Sequence, residues 1–318
     1  MRTMCEIPSG LRLRCPECRE RLSPENVLRC PNGHEYHNKG PLLDLLPKSI
    51  TPLTIEEGRY HAEQRTTWEE QNQIQAERNV AFHQSFLRLI AQRCHGSSQI
   101  LELGGGVGFD LKLFLRMVDE FQLYVFSEVS MELLDSAHRE VGSEKVVYCT
   151  TDAQCIPFED GEFDAVFMVA ALHHLPDMDA ALSEIGRVTK CGGIIAFGIE
   201  PNRWWLTLLK KMRVLLRVVL PKKDHSAADE EAPGLNRSDF ERLAAKHGLK
   251  IEHFEPVWLL CGFVHYGLEL FYRSFRLKRR LRLPAAVERL IIFADRALLT
   301  IPGIREFSWH NSVVYQKR

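Results

Sequence analysis

Between Gln99 and Pro201 the chain alternates short apolar pulses with amphipathic stretches. "SQILELG", "QLYVFSEVS", "KVVYCTTDA", "EFDAVFMVAAL" and "GGIIAFGIEP" read as five strands, each an apolar run bounded by turn residues. "DLKLFLRMV" and "MELLDSAHREV" carry helical spacing between the first three. Such alternation predicts a parallel sheet with helices on both faces. Upstream, the polar stretch from about Glu56 to Cys94 places Val80, Phe82, Phe86, Leu87, Ile90 and Ala91 at helical intervals, which predicts one or two helices. Downstream, "NRSDFERLAAKHGLKIEHFEPV" predicts a helix and a strand, with Ser238 and Glu241 at capping-box spacing and Gly248 as the stop. "WHNSVVYQK" predicts the closing strand. The expected fold is α/β: a Rossmann-like, seven-stranded, mostly parallel sheet with helices on both faces.

The first of these strands runs into "LGGGVGFD", four glycines within five positions. A bare backbone after a strand suits a ligand that approaches the main chain closely, and ligands of parallel sheets bind at the carboxyl ends of the strands. The spacing is Glu102-x-Gly104-x-Gly106-x-Gly108. A dinucleotide fingerprint would need a third glycine where Phe109 or Leu111 stands, so that spacing fails. An acid beside the turn repels phosphate and suits positive charge. Glu128 closes the second strand, where a carboxylate can accept two ribose hydroxyls. Asp152 closes the third, positioned to accept from an adenine amino group. Three acids at three successive strand ends point to a cationic nucleoside, and S-adenosylmethionine (SAM) has the right charges.

Nearer the N-terminus, "CPECRERLSPENVLRCPNGHEYH" holds Cys15-x2-Cys18 and Cys30-x3-His34. Two tight ligand pairs separated by eleven residues can converge on a tetrahedral zinc. So short a module builds little core, and bound metal would supply its folding free energy. Four protein ligands leave no open position, so Cys15, Cys18, Cys30 and His34 are expected to form a structural site. His37 is an alternative fourth ligand, disfavoured by its spacing.

Composition narrows the picture only a little. The chain has 318 residues, 45% hydrophobic and 26% charged, with a net charge of −1. No global attraction to nucleic acid or membrane follows from that balance, so any such attraction is local. Nine cysteines and no apolar leader suggest reduced thiols and a cytoplasmic protein. No apolar run is long enough to span a bilayer.

The motifs "LELGGGVG", "FSEVS", "TDAQCIPFEDGEFDAVF", "ALHHLPD" and "VTKCGGIIAFGIEPN" together resemble the class I SAM-dependent methyltransferases of the methyltransferase-11 type, over roughly residues 98–200. The resemblance implies that SAM is held by Glu102, Gly104, Gly106, Gly108, Glu128, Asp152 and Ala153. Thr151 stands where that family commonly has glycine. His173 and His174 follow the fourth strand, and the resemblance puts them at the methyl-transfer cleft. An imidazole there could accept a proton from the acceptor. The N-terminal module followed by "LLDLLP" resembles the ribbon of rRNA guanine-N1 methyltransferases, whereas "ALHHLPDMDAALSEIGRV" resembles the branch that methylates small molecules, quinones and lipids.

The domain organisation expected is a zinc-ribbon module at 1–47, a linker with helices at 48–97, and a methyltransferase domain at 98–318. Helical lid insertions are expected near 202–225 and 262–304. In the first, Lys210, Lys211, Arg213 and Arg217 share one helical arc, opposite Trp205, Leu208, Leu209, Met212, Leu215, Leu216 and Val219. The second carries "YRSFRLKRRLR", six basic residues in eleven, including Arg279, Arg280 and Arg282. Methyl transfer to a small-molecule or lipid-like acceptor is the leading expectation, with peripheral contact at an anionic inner-membrane surface. An rRNA base ranks second as acceptor, and a non-catalytic partner-binding subunit third.

Overall fold

A computed structural model of the chain describes residues 7–8, 10–23, 27–74, 76–216, 234–275 and 282–318. The N-terminal module contains the hairpin β1 (Leu28–Arg29) and β2 (Glu35–Tyr36), followed by β3 (Asn38–Lys39) and β4 (Leu42–Asp44). Helices α1 (Pro52–Ile74) and α2 (Ala76–Ala91) lead into the alternating region. There the order is β5 (Gln99–Leu103), α3 (Phe109–Phe114), β6 (Leu123–Glu128), α4 (Met131–Val141), β7 (Val146–Thr150), β8 (Phe163–Val169), α5 (Met178–Val188) and β9 (Thr189–Pro201). The chain continues through α6 (Arg203–Leu216), α7 (Arg237–Lys246), β10 (Leu249–Val257), α8 (Leu260–Ser274), α9 (Ala285–Leu299) and β11 (His310–Lys317).

Residues of β5, β6 and β7 are buried at every position, as a strand covered on both faces requires. The sheet runs β10-β11-β9-β8-β5-β6-β7-β4-β3. Strands β5 to β9 are mutually parallel, and β11 is antiparallel to both β9 and β10. The seven expected strands are all present, but the sheet has nine. The apolar "LLD" of β4 pairs in parallel with β7, and β3 folds back on β4. A strand assigned to the N-terminal module thus extends the central sheet, because β7 otherwise leaves an unpaired edge.

The chain order reverses at β5, which lies between β6 and β8, so a crevice opens at the carboxyl ends of these strands. One face of the sheet is covered by α2, α3 and α4, with Phe86, Leu87, Ile90, Phe114 and Leu134 in the core. The other is covered by α5 and α7 together with the N-terminal module, whose Leu13, Cys15, Leu22 and Tyr36 join the same apolar cluster as Ile185 and Phe240. Three ion pairs tie the module down as well: Arg12–Glu162, Arg14–Glu159 and Arg19–Glu184.

Two local details differ from expectation. The capping box of α7 is formed by Asn236 and Asp239, not by Ser238 and Glu241. Asn236 accepts from the Asp239 amide, and the Asp239 carboxylate accepts from the Asn236 amide. The helix therefore starts earlier, and Gly248 at φ 65° follows its end. Helix α3 stops at Phe114, short of Val118, where the amides of Leu115 to Val118 turn back on the preceding carbonyls.

Candidate active site

The glycine turn sits in the crevice. Gly104, Gly106 and Gly108 have φ of 65°, 58° and 79°, values that L side chains strain to adopt. Gly105 is bare for another reason: a Cβ there would lie 2.1 Å from the ring of Phe126. A Cβ on Gly106 would meet nothing within 4 Å, so open space borders the turn where a ligand would approach.

Three acids stand at the ends of three successive strands, and Glu128 among them bonds the turn itself. Glu102 is buried and accepts a 2.5 Å hydrogen bond from the Tyr124 hydroxyl. Burial pushes its carboxyl well above the usual range; Asp110 and Glu128 push it further, against the Tyr124 bond. A cationic ligand would relieve that cost. Glu128 accepts from the amides of Gly106 (2.8 Å), Val129 (2.8 Å) and Ser130 (3.2 Å), so its orientation is locked by the turn it faces. Asp152 is buried and held by the amide of Gln154 at 2.9 Å. Ala153 is buried beside it. Thr151, in the place of a family glycine, is buried too; its amide donates to the Glu128 carbonyl and its hydroxyl to the Thr150 carbonyl.

On the other side of β5 the two expected histidines diverge. His173 is fixed at 2.8 Å through Nδ1 to Glu200, which closes β9. Glu200 is fully buried and also accepts from the amides of Ala171, Leu172 and His173. Burial raises its pKa, but the charge and hydrogen bond of His173 and the amides of Leu172 and Ala171 outweigh it, and Glu200 titrates below the usual range. Glu200 occupies Nδ1 of His173, so the ring nitrogen left to meet an acceptor is Nε2. His174 points elsewhere: its Nδ1 lies 3.5 Å from Glu57 on α1 and its ring 4.6 Å from that of His61. His310, behind this group, is pushed down to about 3 by burial and then by the charge of His173, and is neutral.

Cys15, Cys18, Cys30 and His34 converge, with every ligand atom within 4.8 Å of the others. The separations Cys15–His34 (3.4 Å), Cys30–His34 (3.3 Å) and Cys18–Cys30 (3.6 Å) suit the edges of a tetrahedron around zinc, roughly 3.5–3.8 Å for Zn–S near 2.3 Å. The backbone amide of Glu20, against slight burial, holds the Cys18 thiol down to about 6, which favours the thiolate a metal needs. His37 lies outside this cluster.

Helices α8 and α9 stand where the second insertion was expected, packed on α2 through Phe82, Trp258, Cys261 and Ile292. A buried ion pair, Arg78–Glu288 at 2.8 Å, joins α2 to α9. They expose large apolar side chains: Leu290 is 67% and Phe293 72% exposed in α9, and Phe271 47% in α8. Trp205 in α6 packs instead of pointing outward, stacked 4.1 Å from Trp309. Arg217, Arg279 and Arg280 and the side chains of Lys210, Met212, Arg213, Leu215 and Leu216 lie outside the described residues, so the two basic arcs are not described as wholes.

Sequence reading did not single out Glu200, Tyr124, Glu57 or His61. Glu200 had a usable signal, since "FGIEP" ends a strand in an acid as "LEL" and "FSE" do. The Tyr124 bond arises from strand pairing and has no sequence signature.

Residues 101–197 match the family described as a methyltransferase domain. The chain is 32% identical over 127 residues to the ubiquinone/menaquinone biosynthesis C-methyltransferase UbiE of Francisella tularensis, covering 37% of this chain and 48% of that protein. The Cupriavidus necator protein of the same name is 30% identical over 125 residues, 39% of this chain and 51% of its own. The chain thus spans about half the length of these curated relatives. Among solved structures, phosphoethanolamine N-methyltransferase 2 of Haemonchus contortus in complex with SAM matches with a TM-score of 0.51 at 18% identity. That match covers 86% of this chain and 61% of that one, and it shows the shared fold. No helix among the described residues is long and apolar enough to cross a membrane.

Proposed function

We propose that the protein transfers a methyl group from SAM to a small, lipid-like acceptor, with a quinone-type ring as the first chemistry to test. One observation carries the reading: three buried acids stand at successive strand ends, one of them bonded to the amide of Gly106 in the open glycine turn, and a histidine after the neighbouring strand is oriented by a further buried acid. The similarity to two quinone-pathway C-methyltransferases supports the choice of acceptor.

In this reading Glu128 accepts the ribose hydroxyls and Asp152 the adenine amino group. Glu102, the glycines and Ala153 bound the rest of the cofactor. SAM supplies an electrophilic methyl group when bound. The chain's own part is to align an acceptor with it and to take up the acceptor's proton on Nε2 of His173, with Glu200 compensating the charge that forms. His174 serves the acceptor side without touching Glu200. Zinc on Cys15, Cys18, Cys30 and His34 would be structural and carry no chemistry. The apolar outer face of α8 and α9, with Leu290 and Phe293, would rest on a membrane surface in the cytoplasm and give access to a lipid-borne acceptor.

Two measurements test this. Asp152→Ala should weaken SAM binding by about 1–3 kcal/mol in titration calorimetry. Incubating the protein with methyl-labelled SAM and a cell extract should place label in the lipid fraction. Label in rRNA would promote the base-methylating alternative, and cofactor binding without any transfer would favour the partner-binding subunit.

A further inference from the structure

We propose that Glu57, His61 and His174 form a second metal site, one that binds an exchangeable divalent cation with an open coordination position facing the transfer cleft. Their ligand atoms all lie within 4.8 Å of one another, and the three residues are buried or half-buried. The Glu57 Oε2 oxygen is 3.5 Å from His61 Nε2 and 3.5 Å from His174 Nδ1. Two ligands bound at about 2.0–2.1 Å with tetrahedral angles stand roughly 3.4 Å apart, so both pairs already have the spacing of a coordination edge. A cation between them needs only small side-chain rotations.

The donor set also points to a class of metal. Two imidazoles and one carboxylate suit zinc, cobalt, manganese or iron(II), and they lack the soft sulfur ligands of the ribbon. Three protein ligands on a four- to six-coordinate ion leave at least one position open, the arrangement of sites that bind a substrate atom.

Position gives the cluster its use. Glu57 and His61 are one turn apart on α1, which lies over the carboxyl end of β6. A Cβ on the intervening Gly58 would come within 2.9 Å of Val129, next to the Glu128 that closes that strand. His174 comes from the short helix after β8, three residues past Ala171, whose Cβ would be 3.2 Å from one on Gly104. The ring of His174 lies 3.9 Å from that of His173. The cluster therefore joins the two walls of the crevice, with the cofactor turn below and the Glu200-bound histidine beside it. Resting on the methyltransferase reading, the open position would take an acceptor hydroxyl or enol oxygen and favour its ionised form.

The metal claim itself is independent of that reading, and the test keeps them apart. The full-length protein, with its ribbon loaded with zinc, is titrated with cobalt(II) and followed by absorption spectroscopy and calorimetry. Uptake of a further equivalent is expected, with weak ligand-field bands and no intense sulfur-to-cobalt band. His61→Ala and His174→Ala should each weaken it by about 100-fold or more, beyond what losing an outer-shell partner costs. Glu57→Gln, which keeps the side-chain shape, should do the same. Unchanged circular dichroism and SAM affinity in the variants show that the fold has survived. The proposal fails if the wild type takes up no cobalt beyond a thiolate-bound ion, or if the three variants keep the added equivalent. Failure of wild-type SAM binding would instead overturn the methyltransferase reading and leave the cobalt result standing.

Discussion

Glu128 and Glu200 close strands on opposite sides of β5, and both are buried carboxylates satisfied by backbone amides. Glu128 takes its amides from the glycine turn and from its own next two residues. Glu200 takes all of its donors from the short helix after β8 and the residue before it, and one of them is an imidazole. The first arrangement fixes a carboxylate beside the open glycine turn. The second uses its carboxylate to hold a histidine. On the proposed reading, the cofactor half of the crevice is therefore built from local turns, while the acceptor half is built across strands and helices distant in the chain.

Removing Glu200 should have the largest effect and the most one-sided one. Glu200→Ala leaves buried donors unpaired and frees the ring of His173. Turnover should fall by about 100- to 10,000-fold, the usual worth of a general base. SAM affinity, measured by calorimetry, should stay within roughly tenfold, since no cofactor contact is lost. Glu200→Gln should fall between the two, because it still accepts from the amides. Equal losses of turnover and SAM affinity would dissolve the contrast between the two halves.

The ribbon sharpens the contrast from the cofactor side. Read as a sequence, it is a separate structural module at 1–47 whose folding rests on its own metal. In the structure it is attached to the segment on either side of the third acid: Cys155 donates from Sγ to the Pro16 carbonyl, and Thr150, just before Asp152, binds both Leu45 and Asp44. Cys15→Ser should release zinc and loosen this support, weakening SAM binding by on the order of tenfold, a typical coupling between linked sites. Metal analysis and calorimetry on the same sample check it. Zinc loss with unchanged affinity would restore the independent module.

The smallest effect is expected at Glu102, and it concerns stability. Its folded pKa is raised above the ordinary 4.5, mainly by burial. Below that value both folded and unfolded forms are protonated and nothing is lost. As pH rises through the window above it, the unfolded chain ionises first and the native state loses stability. Glu102→Gln keeps an acceptor for Tyr124 and removes this slope, so its Tm should exceed the wild type's by a few degrees at neutral pH, on the order of 2–4 °C per kcal/mol. Equal Tm values across the pH range would show that Glu102 is not destabilising.

Much of the cofactor half is legible in the sequence alone. Apolar pulses with the period and length of strands, glycines clustered in a turn and acids at strand ends are properties of contiguous residues, so they appear as strings such as "LELGGGVG". The paired Cys and His spacing of the ribbon is local in the same sense. Backbone geometry translates these patterns directly, because a turn or a strand end is decided within a few residues.

Tertiary structure alone decided the rest. That "LLD" becomes a strand of the central sheet depends on β7 offering unpaired amides. That His173 belongs to Glu200 and His174 to Glu57 depends on where β9 and α1 bring their carboxylates, 27 residues after the one and far upstream of the other. Two adjacent histidines are equivalent in a string of letters. Their rings lie side by side, and they part only in the carboxylate that each Nδ1 meets, which packing across the sheet, not local propensity, chooses.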